Sequence, residues 1–460
     1  MINFWEFEAW GGFNVLAVLM VSLLCASMLK RAFPILKASL IPTSVLGGGL
    51  LIIVAGIYKA ITGDIMFDTA FFGGNGTATL ELFTYHTLAL GFIASTFKPA
   101  QGKLTKQRTI EIFNTGVTTV ATYLLQGVVG MGITMFAAAF FMDGFFEAAG
   151  ILLPFGYGQG TGQALNYGGI FEADFGFVGG RSFGLTIAAL GFLSASIGGV
   201  IHLNILRRQG KIDAKAEGGK VLLGHEIQSS DESPMQESMD KMTTQIALVA
   251  LSYLLAYLLM FLLGNLLPGM KSVIYGFNFL LGVLSATLVK AVMNWMRKKN
   301  IIRREHRNYF LMTRASNFFF DLMVVAGIAA IRLSALEQYW GIMLILGVVG
   351  LVITYIYNYF VARVLFSEYA EEQFLTMYGM LTGTASTGVI LLREIDGDFK
   401  TPASDNMVYQ NFPAIVFGFP LMLLATMAPV QPGLTLAILF GFFLVMNLIL
   451  FRSFIFRKKK

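Results

Sequence analysis

The polar residues that stand out most in this chain lie in an apolar segment, 309–331. Arg314, Asn317 and Asp321 are spaced at i, i+3 and i+7, so a helix presents them on one face. An ionisable residue inside an apolar span is costly, and it usually marks either a pathway or an internal pair. We expect Asp321 and Asn317 to bind a cation; the alternative is a structural pairing of Asp321 with Arg314.

Two runs rich in Gly and Thr share the pattern Gly-x-x-x-Gly-Thr, at Gly156–Thr161 and at Gly379–Thr384. Gly permits unusual dihedrals and close approach, and Thr hydroxyls can replace water as ligands. Backbone N–H groups at broken helix ends bind carboxylates, although small residues also serve tight helix packing. The predicted binding residues are Gly158, Gln159, Gly160, Thr161, Gly162, Thr382, Gly383, Thr384, Ser386 and Thr387.

Catalytic chemistry is not indicated. The chain has four His and one Cys, and their spacing assembles no nucleophile, base or metal cluster. The glycine run that begins at Gly156 follows no predicted strand, so it does not match a dinucleotide-binding loop. The sequence also lacks a Gly-Lys-Ser/Thr loop, which argues against ATP as the energy source. We expect neither an enzyme nor a protein with a cofactor.

The elements that position these residues follow from composition. The chain has 460 residues, of which 56% are hydrophobic and 13% are charged. Soluble proteins carry about 25% charged residues, so roughly half of the expected charge is missing. This excludes a soluble enzyme, a disulfide-stabilised secreted domain and a disordered protein. The sequence predicts an all-α, polytopic membrane protein.

About 20 apolar residues are needed to cross the hydrocarbon core of a membrane. Eleven segments meet that length approximately: 12–29, 41–60, 83–97, 110–141, 182–205, 243–265, 273–294, 309–331, 339–362, 411–428 and 432–451. Two further apolar segments, 150–168 and 373–393, contain the Gly/Thr runs and do not resemble full-length helices.

The distribution of Lys and Arg predicts the topology. If these two segments enter and leave on one side and the N-terminus is outside, nearly all basic residues lie inside. The outside then retains only Lys59, Arg181, Lys271 and Arg332. We therefore expect two re-entrant loops, an external N-terminus and a cytoplasmic C-terminus.

The halves of the chain also resemble each other. Besides the shared Gly/Thr pattern, Leu90-Gly91-Phe-Ile-Ala94 matches Ala326-Gly327-Ile-Ala-Ala330, each on the third crossing of its half. We expect Gly91 and Gly327 to take part in ion coupling. Because each half has five crossings, an odd number, the second half is expected to be inverted. The predicted division is 1–205 for the first repeat, 206–241 for a cytoplasmic linker, 242–430 for the second repeat and 431–460 for an additional helix with a basic tail.

Inverted repeats with paired broken segments are typical of secondary transporters. The run from Gly156 to Ala164 resembles the signature loop of the sodium/glutamate symporter family, although Gln159 replaces the His expected there. The second run, Thr382-Gly383-Thr384-Ala385-Ser386-Thr387-Gly388, lacks the family's downstream Thr-Pro-Thr. The layout of the first ten crossings is similar over nearly the whole chain.

The resemblance implies sodium-coupled uptake of glutamate or a related small carboxylate by a homodimer in the cell membrane. In that family transport cores move against a fixed scaffold. Sodium would be the coupling ion, with Asp321 as the expected ligand for sodium or for a substrate ammonium group. Transport of another small organic anion with sodium or proton coupling remains open, and so does an ion channel. Lipid is an expected partner, and nucleic acid is not.

Overall fold

A computed structural model describes residues 3–97, 105–211, 239–268, 271–276, 278–302, 304–396 and 400–452. Most of the predicted cytoplasmic linker, 212–238, lies outside these ranges. Within them the chain is helical and contains no strand. The helices are α1 (Phe7–Ala32), α2 (Pro34–Ala38), α3 (Thr43–Thr62), α4 (Gly76–Thr96), α5 (Lys106–Phe140), α6 (Leu152–Phe175), α7 (Gly180–Arg208), α8 (Lys241–Leu266), α9 (Lys271–Gly276), α10 (Asn278–Lys298), α11 (Tyr309–Ala329), α12 (Trp340–Leu365), α13 (Ala370–Thr382), α14 (Ala385–Arg393), α15 (Ala403–Tyr409), α16 (Asn411–Met427) and α17 (Pro432–Leu450).

The all-α polytopic membrane class is confirmed. Of the described helices, nine are long and apolar enough to cross a membrane, and α15 with residues 413–427 of α16 makes a tenth span bent by 51°. The segment predicted at 83–97 forms α4, which has 21 residues but falls outside this group. Its length is sufficient, but Glu81, His86 and several threonines interrupt its apolar residues.

The first Gly/Thr run lies in α6, where the chain reverses direction. Gly160 has a φ of 78° and a ψ of −171°, which interrupt the helix. The ring of Phe155 stacks on that of Tyr167 with centroids 4.0 Å apart. In an unbroken helix, twelve residues would separate these positions by roughly 18 Å. Residues 152–175 therefore form hairpin 1, with its tip at Gly160.

The second Gly/Thr run forms a similar turn between α13 and α14. A Cβ placed on Gly379 would stand 2.8 Å from Gly388 Cα, so the two helices pack backbone to backbone. The chain reverses at Gly383 and Thr384, which separate the two helices. We call residues 370–393 hairpin 2. Both tips fall within the shared sequence pattern.

The helices around the hairpins pack in matching ways in the two halves. A Cβ on Gly48 of α3 would stand 2.6 Å from Ile328 of α11 and 3.2 Å from the Val325 carbonyl. In the other half, a Cβ on Gly282 of α10 would meet α4 at Ile93 (2.9 Å) and at the Ala89 carbonyl (4.0 Å). The α3–α11 contact therefore corresponds to the α10–α4 contact.

The same correspondence holds one helical turn earlier. Ser44 precedes Gly48 by one turn and lies beside the Asp321 side chain. Asn278 precedes Gly282 by one turn, and its amide donates to the Tyr85 carbonyl at 2.9 Å. Asp321 and Tyr85 thus occupy matching positions in α11 and α4. Helix α17, which follows the second of the two matching halves in the sequence, packs on α5.

A buried charge network closes the connection between α10 and α11. Arg307 is 4% exposed and donates to both carboxylate oxygens of Glu305, at 2.8 and 2.6 Å, and to Asn294 at 2.8 Å. Arg297 also contacts Glu305, at 3.1 Å. Burial acts to raise the pKa of Glu305, but the hydrogen bonds and charge of Arg307 outweigh it and hold the pKa below its ordinary value.

Replacing Glu305 by Gln is expected to destabilise the protein by about 3–5 kcal/mol, because it leaves the Arg307 charge buried without compensation. The measurement is thermal unfolding in detergent, with exposed Glu337→Gln as the control. Because the folded pKa is lowered, the stabilisation should be present above the unfolded pKa and disappear as the pH falls through the folded value. An unchanged melting temperature at neutral pH would contradict the assigned network.

Candidate substrate and ion site

The tips of the two hairpins meet inside the helical bundle. A Cβ placed on Gly160 would stand 3.3 Å from the Thr384 methyl group and 3.9 Å from the Gly383 carbonyl. It would also stand 3.7 Å from the end of Met323 on α11. The structure therefore brings together the centres of the two sequence runs, which lie far apart along the chain.

Four helix ends converge at this point. The second arm of hairpin 1 begins after Gly160, and α14 begins at Ala385, so both present helix N-termini to the junction. The first arms end at Gln159 and at Thr382 and present C-terminal carbonyl groups. Helix N-termini attract anions and C-termini attract cations. The junction therefore offers both polarities without a charged side chain from either run.

The predicted side chains differ in their access to this junction. Gln159 and Thr384 are half-buried. Thr161 is buried, and its hydroxyl donates to the Met323 carbonyl at 3.3 Å. Thr387 is 1% exposed, and its hydroxyl has no hydrogen-bond partner among the described residues. The Thr382 hydroxyl donates to the Tyr378 carbonyl within its own helix at 2.6 Å.

The Ser386 side chain lies outside the part of the chain that the structure describes, so its predicted role stays a prediction. Its backbone lies in the first turn of α14. Gly383 is enclosed by Thr387, Phe192 and Gly379.

Several of the predicted glycines lie at close helix contacts. A Cβ on Gly158 would stand 2.0 Å from the Tyr123 ring, and one on Gly162 would stand 2.7 Å from Leu88. The Tyr123 hydroxyl also donates to the Gly158 carbonyl at 3.0 Å. These contacts support the alternative role for Gly158 and Gly162, in which the small residues allow tight packing of helices.

Gly91 and Gly327 also lie at helix crossings. A Cβ on Gly91 would stand 2.7 Å from the Phe320 ring, and one on Gly327 would stand 2.7 Å from Thr161 Cβ. Gly327 therefore adjoins the tip of hairpin 1. Gly91 packs on α11, and its carbonyl accepts a hydrogen bond from Ser316 at 3.0 Å.

The structure does not place Asp321 and Asn317 at the junction. Met323 and Gly327 face hairpin 1. Asp321 precedes Met323 by two residues, so it lies on nearly the opposite side of the helix. Asp321 instead shares the face that packs on α3, where Ser44 lies beside it. Both Asp321 and Asn317 are exposed on this face.

Sequence reasoning missed Gln126. Its amide donates to the Thr354 hydroxyl on α12 at 2.8 Å and to the Leu381 carbonyl of hairpin 2 at 2.9 Å. The side chain is fully buried, and its carbonyl oxygen has no hydrogen-bond partner in the part of the chain that the structure describes. Gln126 thus connects three elements beside the tip of hairpin 2. The available signal was a single amide within an otherwise apolar stretch of α5.

The two hairpins differ in how their second arms are covered. In hairpin 1, Gly162 packs on α4, Thr161 packs on α11, and the Asn166 amide donates to the Gly276 carbonyl at 3.1 Å. The matching residues of hairpin 2 are Ala385, which is exposed, and Thr384 and Val389, which are half-buried. Helix α14 packs mainly on α13, α15 and α7.

Polar and charged contacts also hold the base of each hairpin. Arg181 at the start of α7 donates its N–H to Glu172 at the base of hairpin 1 and contacts Glu81 of α4 at 3.1 Å. At the base of hairpin 2, Glu371 contacts His202 of α7 at 2.9 Å and Arg363 of α12 at 2.6 Å. Both hairpins are thus held to α7; hairpin 1 is also linked through Arg181 to α4, and hairpin 2 is linked at its base to α12.

These features define an all-helical membrane protein in which two broken helical segments meet in the core. No protein-family model and no curated protein sequence matches the chain. The resemblance to the sodium/glutamate symporter family therefore depends on the sequence motifs.

Proposed function

We propose that the chain is a sodium-coupled secondary transporter that imports glutamate or a related small carboxylate by alternating access. The observation that carries the proposal is the unequal covering of two matching hairpins whose tips meet. Hairpin 1 is packed against α4 and α11, while the equivalent surface of hairpin 2 is less covered: Ala385 is exposed, and Thr384 and Val389 are half-buried. A transporter that alternates between two states would exchange these arrangements.

In this proposal the substrate carboxylate binds between the N-terminal ends of the second arms. The Gln159 amide and the Thr384 hydroxyl are half-buried at that junction and serve as additional donors. Sodium binds near the C-terminal ends of the first arms, where helix carbonyl groups favour a cation. Gln159 in place of the family's His leaves the choice among small carboxylates to experiment.

The predicted topology gives the direction. Hairpin 1 enters from the outside and hairpin 2 from the cytoplasm, so the weaker covering of hairpin 2 corresponds to a state open to the cytoplasm. We propose a cell-membrane location with an external N-terminus, a cytoplasmic C-terminus and a homodimeric assembly. No enzymatic step is part of the cycle.

The test is uptake of radiolabelled L-glutamate into proteoliposomes that contain the purified chain. We expect saturable, concentrative uptake driven by an inward sodium gradient and lost when potassium replaces sodium outside. Unlabelled dicarboxylates and neutral amino acids, added as competitors, rank the substrate class. Uptake that follows a proton gradient alone would contradict sodium coupling, and a passive ion current without accumulation would favour a channel.

A further inference from the structure

Asp321 is an ionisable residue within the apolar helix α11, at the contact between α3 and α11. It is exposed, and its side chain lies beside Ser44. Ser44 lies in the first turn of α3, and Pro42 immediately precedes that helix. The surface around Asp321 is therefore formed by the start of α3 and one face of α11.

The matching surface in the other half is covered by hairpin 1. There Tyr85 corresponds to Asp321, Asn278 to Ser44 and Gly276 to Pro42. The second arm of hairpin 1 reaches this surface through Asn166, which donates to the Gly276 carbonyl at 3.1 Å. One turn further along the arm, Ile170 Cδ1 would stand 3.4 Å from a Cβ on Gly276.

The shared sequence pattern identifies the equivalent residues of hairpin 2. Gly160 corresponds to Gly383, so Ile170 corresponds to Arg393, the last residue of α14. In a state where hairpin 2 covers the surface of α3 and α11, as hairpin 1 covers the surface of α10 and α4, Arg393 lies beside Pro42. Ser44, two residues after Pro42, lies beside Asp321, so the long side chain of Arg393 would point its guanidinium toward the Asp321 carboxylate.

We propose that Asp321 and Arg393 form an ion pair that holds hairpin 2 closed in the outward-open state. This inference rests on the proposed alternating access. Covering Asp321 without a partner would bury a charge, which is strongly unfavourable, whereas Arg393 neutralises it. The pair is specific to this half, because the matching residues Tyr85 and Ile170 are uncharged.

Other charged residues near this surface have different contacts. Arg314, two turns before Asp321, lies over the Phe310 ring at 5.0 Å. Lys30 donates to the Ile41 carbonyl at 2.5 Å. Glu394, beside Arg393, contacts Arg207 of α7 at 3.4 Å. Arg393 is the basic residue that the movement of hairpin 2 brings to Asp321.

Disulfide cross-linking tests the pair. Cys25, the only cysteine, is replaced by Ser, and Val324→Cys is combined with Ala385→Cys, because these positions match the Leu88–Gly162 contact of hairpin 1. We expect this cross-link to form in membranes, and Asp321→Arg or Arg393→Asp to lower its yield about tenfold, a change of ~1.4 kcal/mol in the closing equilibrium. The exchange Asp321→Arg with Arg393→Asp should restore most of the yield.

The controls separate the ion pair from the proposed alternation. Arg332→Asp, an exposed charge reversal beyond the other end of α11, should leave the yield unchanged. Asp321→Asn and Arg393→Gln should lower the yield less than the reversals, and they serve if a reversal prevents folding. Equal yields with and without the charges, or no recovery in the exchanged variant, would overturn the pair. If no variant formed the cross-link, both the proposed alternating access and the proposed Asp321–Arg393 ion pair would be contradicted.

Discussion

Replacing Gly160 by Ala is expected to reduce sodium-driven uptake by at least about tenfold. Gly160 has a φ of 78°, which side-chain-bearing residues adopt at a cost of about 1–3 kcal/mol. The added methyl group would also stand 3.3 Å from the Thr384 methyl on the opposing tip. Both effects act where the two hairpins meet, so the change distorts the proposed binding site directly.

Uptake of radiolabelled L-glutamate in proteoliposomes measures this effect, with thermal unfolding measured in parallel. Gly132→Ala on α5 is the matched control, because no atom of the residues that the structure describes lies within 4 Å of its added Cβ. The control should retain uptake, and Ala in a helix interior should slightly raise stability. Normal uptake by Gly160→Ala, at a normal Michaelis constant, would show that the tip of hairpin 1 is not part of the site.

The sequence located the hairpin tips because local chemistry decides where a helix breaks. Gly160 and Gly383 occupy the same place in a shared pattern, and both mark a reversal of the chain. The broken segments were also required by the distribution of Lys and Arg. These are signals that a single sequence contains, since each depends on residues close together along the chain.

The surroundings of Asp321 were not predictable in the same way. Spacing at i, i+3 and i+7 shows that Arg314, Asn317 and Asp321 share a face, but it does not show which neighbour that face meets. The structure turns Met323 and Gly327 toward hairpin 1 and Asp321 toward α3. A helix that contacts several neighbours distributes its residues among them, and tertiary packing decides the assignment.

Gln126→Leu is expected to give the second large effect, through the end of α13 that leads into the tip of hairpin 2. The substitution leaves the Leu381 carbonyl and the Thr354 hydroxyl without their amide donor in a buried position. A buried polar group without a partner costs about 1–3 kcal/mol. We therefore expect a lower melting temperature and a loss of uptake larger than the loss of folded protein.

A double-mutant cycle with Thr354→Val shows whether this effect passes through the assigned hydrogen bond. Because the Gln126 amide also donates to Leu381, the double variant should recover only the part of the loss due to Thr354, with a coupling energy of about 0.5–1.5 kcal/mol. Gln107→Leu, on an exposed turn of the same helix, should leave both melting temperature and uptake near the wild-type values. Strictly additive losses would mean that Gln126 acts without Thr354. A normal uptake rate despite a lowered melting temperature would show that Gln126 stabilises the fold but does not affect transport through the tip of hairpin 2.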